Sequence, residues 1–348
     1  MSTPTLKPTR PWKLTPKQRG LIVLNLVIAS ALSYLIVLLT PMKGKLAYLS
    51  IFFIATIVIN FAENYFKRGL AAAKDSIATS FAAAGLIVAV VPIFSILFTI
   101  FERGRAGLNF GLFLHDMKLN GPNDPLNQGG LLHALIGSGI MVGIALLISL
   151  PIGILTAIYL TEIKGIYSRP IKFLVQAMSG VPSIVAGLFI LSAIVFPITK
   201  SSSGLMGGFA LAILMIPTIA RTSEEVLLLI PNDLREAGVA LGGTQWRTIS
   251  LIVVPAAKSG LITATILGLA RVAGETAPLV LVSGGGDAVN TNPFQSPMGS
   301  LPFYIWKGFT FGTTESIARS WAGIFVLLSL IFILFIAART LSGSRSSK

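Results

Sequence analysis

The sequence predicts an all-α polytopic membrane protein with about eight transmembrane helices. Its 348 residues are 53% hydrophobic and only 11% charged, whereas soluble domains carry about 25% charged residues. A helix needs about 20 apolar residues to cross the hydrocarbon core of a bilayer. Eight segments meet or approach that length: roughly 21–40, 46–62, 80–100, 134–160, 174–196, 205–221, 257–282 and 320–339. This composition excludes an ordinary soluble enzyme.

The distribution of lysine and arginine predicts how these helices are oriented. With the N terminus inside, 18 basic residues lie on the cytoplasmic side, 8 lie outside, and Arg271 falls within a helix. Cytoplasmic loops of membrane proteins carry an excess of Lys and Arg. We therefore expect a multi-pass protein of the cell (inner or plasma) membrane, with the lipid bilayer around it and both termini in the cytoplasm. The net charge of +14 then needs no nucleic-acid partner.

The segments outside the apolar runs are of three kinds. Residues 1–20, with four prolines and five basic residues, predict a disordered cytosolic tail, and 341–348 predict a second, short tail. The outer loops, about 101–133 and 283–319, are rich in Gly, Pro and Asn and are predicted to be irregular covers. The chain has no cysteine, two histidines and no phosphate-binding loop, so we expect no metal and no cofactor in this chain.

The longest cytosolic loop, about 222–256, predicts two short helices. Asn232 or Asp233 is expected to cap the first and Thr244 the second, and Pro255 is expected to close the unit. The first helix ends at two glycines, Gly242 and Gly243. Each helix is predicted to align three apolar residues: Leu234, Ala237 and Leu241 in the first, and Trp246, Ile249 and Val253 in the second. The residues alone leave open whether this hairpin rests on the chain's own helices, on lipid or on another protein.

The same segment resembles the EAA loop of the permeases of ABC importers, and we use that name for it below. That family's pattern is Glu-Ala-Ala, three residues, Gly, nine residues, Ile, one residue, Leu-Pro. The matching positions are Glu236, Ala237, Gly238, Gly242, Ile252, Val254 and Pro255. Two depart from the pattern, since Gly238 replaces Ala and Val254 replaces Leu. In that family the loop forms coupling helices that dock on a cytosolic ATPase. The resemblance therefore implies a separate ATPase subunit dimer and a chain that is not itself an enzyme.

Two further stretches resemble the phosphate-specific permeases of that family, and the PstA type more than the PstC type. They are SGVPSIVAGLF at 179–189 and ARVAGETAPLVLVSG at 270–284. The resemblance covers about 80–340 and implies the type I six-helix unit, with its first helix and outer loop at 80–132 and its permease domain at 133–340. The hairpin at 21–62 is extra. The implied partners are a second, PstC-like permease subunit and a phosphate-binding protein at the outer face.

A few polar residues and helix breakers inside the apolar runs are candidates for a substrate path. Arg271 is expected near mid-membrane with Glu275 at i+4 on the same helix face, and Thr276 adds a hydroxyl. A mid-membrane arginine costs about 2.5–3.5 kcal/mol, so it should face protein or a wet cavity. It is either an anion site or a structural ion pair. Arg221 matches a transport-associated position of the family, or is a snorkelling positive-inside residue. Two further candidates are predicted to break a helix, as part of the path or as a packing kink: Gly180 and Pro182.

Three alternatives stay open. A permease for another oxyanion, such as sulfate, molybdate or phosphonate, is disfavoured by the Gly-Glu-Thr-Ala-Pro stretch at 274–278. An ion-coupled secondary transporter should show repeated halves and several intramembrane acids, whereas Glu275 is the one clear acid here. If the chain were a membrane-bound receptor or scaffold, the EAA loop would have no ATPase to bind.

Overall fold

A computed structural model describes residues 16–41 and 44–343, and nearly every regular element in these ranges is helical. Their only extended pairing is an isolated β-bridge between Gly284 and Met298. Seven described helices are long and apolar enough to cross a membrane, and a helix pair bent at a break makes an eighth candidate. The predicted fold class is therefore confirmed. Residues 16–20 of the predicted tail are helical, and most of both predicted tails lies outside the described residues.

The chain forms two compact units, Met1–Leu97 and Phe98–Lys348. The first contains three helices: α1 (Pro16–Leu39), α2 (Lys45–Arg68) and most of α3 (Leu70–Gly104). Polar side chains join α1 to α2, since the hydroxyls of Ser30 and Tyr48 are 2.7 Å apart and Asn25 donates to Glu63. Hydrogen bonds of this kind fix the register of apolar helices. The predicted hairpin at 21–62 corresponds to α1 and α2.

The second unit contains ten further helices in the described range. They are α4 (Leu132–Ile158), α5 (Ser168–Ser179), α6 (Ser183–Ile190), α7 (Gly204–Leu228), α8 (Asn232–Ala240), α9 (Gln245–Thr248), α10 (Val254–Ala273), α11 (Ala277–Val282), α12 (Leu301–Phe311) and α13 (Thr314–Gly343). Wide π-helical turns follow three of them: Tyr159–Ile163 after α4, Leu191–Thr199 after α6 and Ile249–Val253 after α9.

Helix α7 lies at the centre of the second unit. Two-thirds of its apolar window (67%) is buried, a larger share than in any other candidate span of the described residues. Its Ile219 belongs to the same apolar cluster as Met141 of α4 and Val272 of α10. Glycines bring the neighbouring backbones close, because a Cβ at Gly153 or Gly268 would lie within 2.8 Å of the Ile219 side chain. The helices that carry the candidate site residues are thus packed directly on α7.

Two apolar runs are each split into two helices. The run at 174–196, in which we predicted a break at Gly180 and Pro182, becomes α5 and α6, bent by 105°, and the run at 257–282, which we predicted as a single helix, becomes α10 and α11. Pro182 lies three residues beyond the last residue of α5, and Pro278 lies five residues beyond the last residue of α10. A proline ring clashes with the carbonyl of residue i−4 and lacks the N–H that this carbonyl would accept. Each proline therefore stops the preceding helix and starts the next.

The loops at 105–131 and 283–300 form what we call the cover. They are held together by backbone groups: Met117 N donates to Asp287 O at 3.0 Å, and Val289 N donates to a carboxylate oxygen of Asp116 at 3.0 Å. The expectation that all of 283–319 is irregular was wrong, because this range contains α12 and the start of α13. Ser300 caps α12 by accepting from Phe303 N at 3.3 Å.

Candidate functional site

The EAA loop joins the ends of three long helices. It connects α7 to α10, and Arg235 of α8 reaches back to Glu162 in the π-helical turn after α4. The guanidinium donates to both carboxylate oxygens, at 2.7 and 2.9 Å, and also to Leu227 O at 2.9 Å. The bonds to Glu162 raise the pKa of Arg235. Gln245 adds a bond to Glu162 O at 2.8 Å. Any displacement of the loop is thereby passed to α4, α7 and α10.

The two short helices of the EAA loop pack through Gly238. A Cβ at this position would lie 2.7 Å from Thr248 Cγ2 and 2.8 Å from Ile252 Cδ1. These distances are shorter than real carbon contacts, so alanine does not fit without movement of the neighbours. The chain's departure from the family pattern at this residue thus has a local cause. Gly243 N also donates to Gly238 O at 3.1 Å, which closes the turn.

The EAA loop exposes several large apolar side chains. Leu241 is 88% exposed, and Trp246 is 60% exposed. Glu236 and Ala237 of α8 are exposed as well. Gly242 has a φ of 80° and open space around it, so its left-handed backbone, and not crowding, favours glycine there. Large exposed apolar patches on a folded chain mark interaction surfaces. We group these exposed residues of the loop under the name docking face: Leu234, Glu236, Ala237, Val239, Leu241, Gly242, Trp246 and Leu251.

Three details of the predicted loop were wrong. The residue at the N-cap of α8 is Pro231, and neither Asn232 nor Asp233 caps the helix with its side chain. Trp246 does not share the buried side on which Ile249 and Val253 lie. Pro255 does not close the unit, because 245–273 form one continuous helical span in which Pro255 lies in the first turn of α10. The expected cap at Thr244 is present, since its hydroxyl accepts from Arg247 N at 3.4 Å.

Arg271 lies near the end of α10 and reaches the middle of α7. Its Nη1 donates to the hydroxyl of Thr218 at 2.9 Å. At about 1.5 Å per residue, Thr218 is about 15 Å from Leu228 and about 21 Å from Gly204, the two ends of α7. The side chain of Arg271 is exposed on this chain, and none of the ion pairs among the described residues includes it. The structure thus places an unpaired guanidinium halfway along a candidate span.

Glu275 does not pair with Arg271 as we expected. Helix α10 ends at Ala273, so Glu275 lies outside it, in the break before α11, and the geometry of an i, i+4 pair is absent. The side chain of Glu275 is half-buried, and its backbone N donates to Val272 O at 3.1 Å. Thr276 occupies the N-cap position of α11 without a side-chain cap bond. Both residues line the break and not a helix face.

Arg221 lies one turn beyond Thr218 on α7, towards the EAA loop. It borders a cavity of about 220 Å³ between α5 and α7. Across this cavity Lys172 of α5 and Glu224 of α7 form an ion pair at 2.7 Å. Sequence reasoning missed Thr218, Lys172 and Glu224. Thr218 and Glu224 lie three residues before and after Arg221, and Glu224 was missed because we predicted the helix to end at 221.

The two broken runs begin again side by side. A Cβ at Gly187 of α6 would lie 2.7 Å from Pro278 Cα of α11, so the two helices touch through this glycine. Further along, Ile190 of α6 and Val282 of α11 belong to one apolar cluster. Pro278, in the first turn of α11, therefore lies against the second turn of α6. Gly180 and Pro182 lie seven and five residues before this contact in the first run, and Glu275 lies three residues before it in the second.

Comparison with known proteins agrees with this architecture. Residues 149–346 match the model of the family described as the binding-protein-dependent transport system inner membrane component. The chain is 36% identical over 267 residues to the phosphate transport system permease protein PstA 1 of Mycobacterium tuberculosis, covering 76% of this chain and 87% of the relative. It is 40% identical over 247 residues to PstA of Haemophilus influenzae, covering 70% and 85%. Among solved structures, an inward-facing MetNI methionine ABC transporter matches with a TM-score of 0.48 and 21% identity, covering 61% of this chain and 93% of that chain.

The helical unit with an exposed loop between two of its spans, together with the family match, defines a permease subunit of an ABC transporter. The chain belongs to the family of binding-protein-dependent inner membrane components and, within it, to the PstA-type permeases. It is accordingly a multi-pass inner membrane protein.

Proposed function

We propose that this chain is the transmembrane subunit of an ATP-driven importer that moves inorganic phosphate into the cytoplasm. The observation that carries the proposal is the guanidinium of Arg271, which lies halfway along α7 with a hydroxyl, Thr218, and no carboxylate as its partner in the described structure. The identity of 36% and 40% to PstA proteins supports phosphate as the substrate.

Placing an arginine at mid-membrane costs about 2.5–3.5 kcal/mol on insertion scales. Binding of an anion in a water-filled path offsets this cost. Arginine binds phosphate oxygens with charge-assisted hydrogen bonds. Glu275 and Thr276, in the break beside Arg271, complete the site. The carboxylate of Glu275 accepts a hydrogen bond from the protonated oxygen of hydrogen phosphate, and the hydroxyl of Thr276 is a further donor. The adjoining break at Gly180 and Pro182 lies on the same path.

Arg221 is the next arginine after Thr218 on α7 towards the EAA loop. It is exposed on this chain and borders the cavity between α5 and α7. That lining also contains the ion pair of Lys172 with Glu224 and a second carboxylate, Glu225, so its two cations and two acidic side chains balance. An anion that leaves Arg271 meets Arg221 one turn beyond Thr218.

The ATPase binds at the EAA loop. The docking face, with Glu236, Ala237 and Gly242, presents an apolar surface to one subunit of an ATPase dimer. Ile252 and Pro255 continue the loop into α10, which carries Arg271. A second, PstC-like permease subunit completes the pore, and a phosphate-binding protein delivers the anion at the cover. This assignment puts the EAA loop and both termini in the cytoplasm, in agreement with the excess of basic residues on that side.

Replacing Arg271 with glutamine tests the proposal. Loss of one charge-assisted hydrogen bond, worth about 1.5–3 kcal/mol, should lower phosphate uptake at least about ten-fold. The matched control is Arg169→Gln, which removes an exposed arginine of α5 away from these breaks. Co-purification of the ATPase and the second permease shows that both variants assemble. Equal uptake by the two variants would show that Arg271 is not part of the substrate path. Suppression of uptake by excess sulfate, molybdate or phosphonate would assign a different oxyanion, and uptake driven by an ion gradient without ATP would assign a different class of transporter.

A further inference from the structure

A second cavity lies at the opposite end of the unit from the EAA loop. It is bounded by the cover, α12 and α13, and its volume is about 100 Å³. The distance from this end to the EAA loop is about 40 Å along α4. Its polar lining includes Asn120, Asp287, Tyr304, Lys307 and Arg319. One buried water needs about 10–15 Å³ of such volume, so the cavity has room for several waters or a small anion.

Arg319 is the residue that sets the charge of this cavity. Its side chain is only 2% exposed. Nη2 donates to three backbone oxygens, those of Asp124 and Pro125 at 2.7 Å and of Gln128 at 3.0 Å. Nε and Nη1 are buried and have no hydrogen-bond partner in the described structure, and Arg319 takes part in none of its ion pairs. A buried charge without a counter-ion is costly, so a missing anionic partner is expected.

Tyr304 supplies a further donor. Its hydroxyl is also buried without a partner, and burial raises the pKa of Tyr304 to about 12, so the group keeps its proton. His133 packs edge-to-face against the Tyr304 ring and is not part of the cavity lining. Three buried nitrogen or oxygen atoms of Arg319 and Tyr304 can thus donate to a ligand at this place.

The carboxylates near the cavity are already engaged. Asp287 accepts from Lys307, and Asp124 accepts from Gly121 N at 2.8 Å and from Asn120 at 3.3 Å. The bonds from Gly121 and Asn120, together with the charge of Arg319, lower the pKa of Asp124. The cavity lining therefore combines free donors with a cation, Arg319, that has no ion-pair contact among the described residues, which is a pattern that recognises an oxyanion.

We propose that this cavity binds a free tetrahedral oxyanion such as inorganic phosphate, whose oxygens accept hydrogen bonds from Arg319 and Tyr304. It is a second anion site, separate from Arg271, in which the anion is held under the cover before it enters the path. The proposal goes beyond the proposed function, because binding here needs neither Arg271 nor ATP hydrolysis.

Because the chain has no cysteine, an introduced cysteine is its one target for a thiol reagent in a protection experiment. Phe311 borders the cavity and is 49% exposed. In the complex with its partner subunits, purified without the binding protein, inorganic phosphate should slow the reaction of Phe311→Cys with a charged thiol reagent. Chloride at equal ionic strength should not. Phe294→Cys in the cover, 69% exposed and outside the cavity lining, is the matched control and should react at an unchanged rate.

Two variants identify the donors. Arg319→Met should abolish protection by phosphate. Because Arg319 also holds the backbone at 124–128, Tyr304→Phe gives an independent measurement that leaves those bonds in place. It should raise the phosphate concentration for half-protection about five-fold, the equivalent of about 1 kcal/mol.

Arg271→Gln separates this proposal from the proposed function, since protection should persist in that variant while uptake is lost. Absence of phosphate-dependent protection would overturn the second site, as would protection that neither Arg319→Met nor Tyr304→Phe changes. Protection that appears only when phospholipid is added, and does not respond to inorganic phosphate, would assign the cavity to a lipid headgroup and overturn the free-anion proposal.

Discussion

Replacing Arg235 with methionine should loosen the EAA loop by about 3 kcal/mol while the membrane helices stay folded. The change removes two bonds to Glu162 and one bond each to Leu227 O, Ile230 O and Asn232 Oδ1. It leaves the Glu162 carboxylate, whose side chain is 6% exposed, without a cation. Removing one partner of a buried ion pair costs about 3–5 kcal/mol. We expect the lower end of that range because the Arg235 side chain is itself 21% exposed.

Hydrogen exchange measures this loosening directly. A local cost of about 3 kcal/mol raises the population of the open loop about 150-fold. Exchange of the amides at 232–240 should accelerate by about two orders of magnitude, while those of 204–228, in the buried helix α7, should not change. Uptake per ATP hydrolysed should also fall in the assembled complex. The reason is that the loop would then move without carrying α4 and α7 with it.

The double variant Glu162→Gln with Arg235→Met is the control for the Glu162 carboxylate that is left without a cation. It removes the uncompensated carboxylate, so it should recover more than half of the lost protection at 232–240, because replacing both partners of a bond is much less costly than replacing one. Unchanged exchange in Arg235→Met alone would refute the reasoning, since the bond to Glu162 would then contribute nothing to holding the loop. Equal exchange in the single and double variants would show that the cost does not come from the buried charge.

Two further predictions concern the packing and the sidedness of the EAA loop. Gly238→Ala should weaken co-purification of the ATPase, at a cost of about 1–3 kcal/mol from overpacking. Thr248→Ala in the same chain should restore part of it, because it removes the contact of the new Cβ with Thr248 Cγ2 at 2.7 Å and leaves the one with Ile252 Cδ1 at 2.8 Å. Full binding by Gly238→Ala alone would contradict the tight contact. Cysteines at Thr244 and Phe294 should react with a membrane-impermeant reagent from opposite sides of the membrane. Ser283, which is fully buried, is unsuitable for that experiment, and labelling of both cysteines from one side would reverse the proposed orientation.

The approximate number of membrane-spanning segments and their helical type could be predicted from the sequence because a bilayer needs long apolar runs. The breaks could not be predicted from hydropathy alone, since the run at 257–282 stays apolar across the end of α10. The local signal was a proline with a glycine four residues before it, Pro278 and Gly274. Helix α12 was missed for the opposite reason: the Gly, Pro and Asn content of its flanks concealed a Ser300 cap and a terminating glycine, Gly312, with a φ of 73°.

The candidate site could be predicted only in part. The glycines of the EAA loop were visible as a pattern, and Arg271 stood out as a charge within an apolar run. Their partners were not visible, because Arg235 and Glu162 are separated by 73 residues and Arg271 and Thr218 by 53. Such pairs are defined by the packing of α4, α7 and α10. The expected pairing of Arg271 with Glu275 failed because it assumed that the helix continued past Ala273.

The route from the EAA loop to Arg271 is short and specific. Helices α7 and α10 leave the loop at its two ends, pack against each other through Gly268 and Ile219, and are bridged by the bond of Arg271 to Thr218 at 2.9 Å. A slide of α10 along α7 by one residue, about 1.5 Å, would move these groups beyond the range of about 3.2 Å for such a bond. The guanidinium would then be free to bind an anion. Motion of the loop driven by the ATPase is therefore expected to switch Arg271 between Thr218 and the substrate. In that case Thr218→Val, which removes the competing hydroxyl acceptor, should tighten anion binding and slow release.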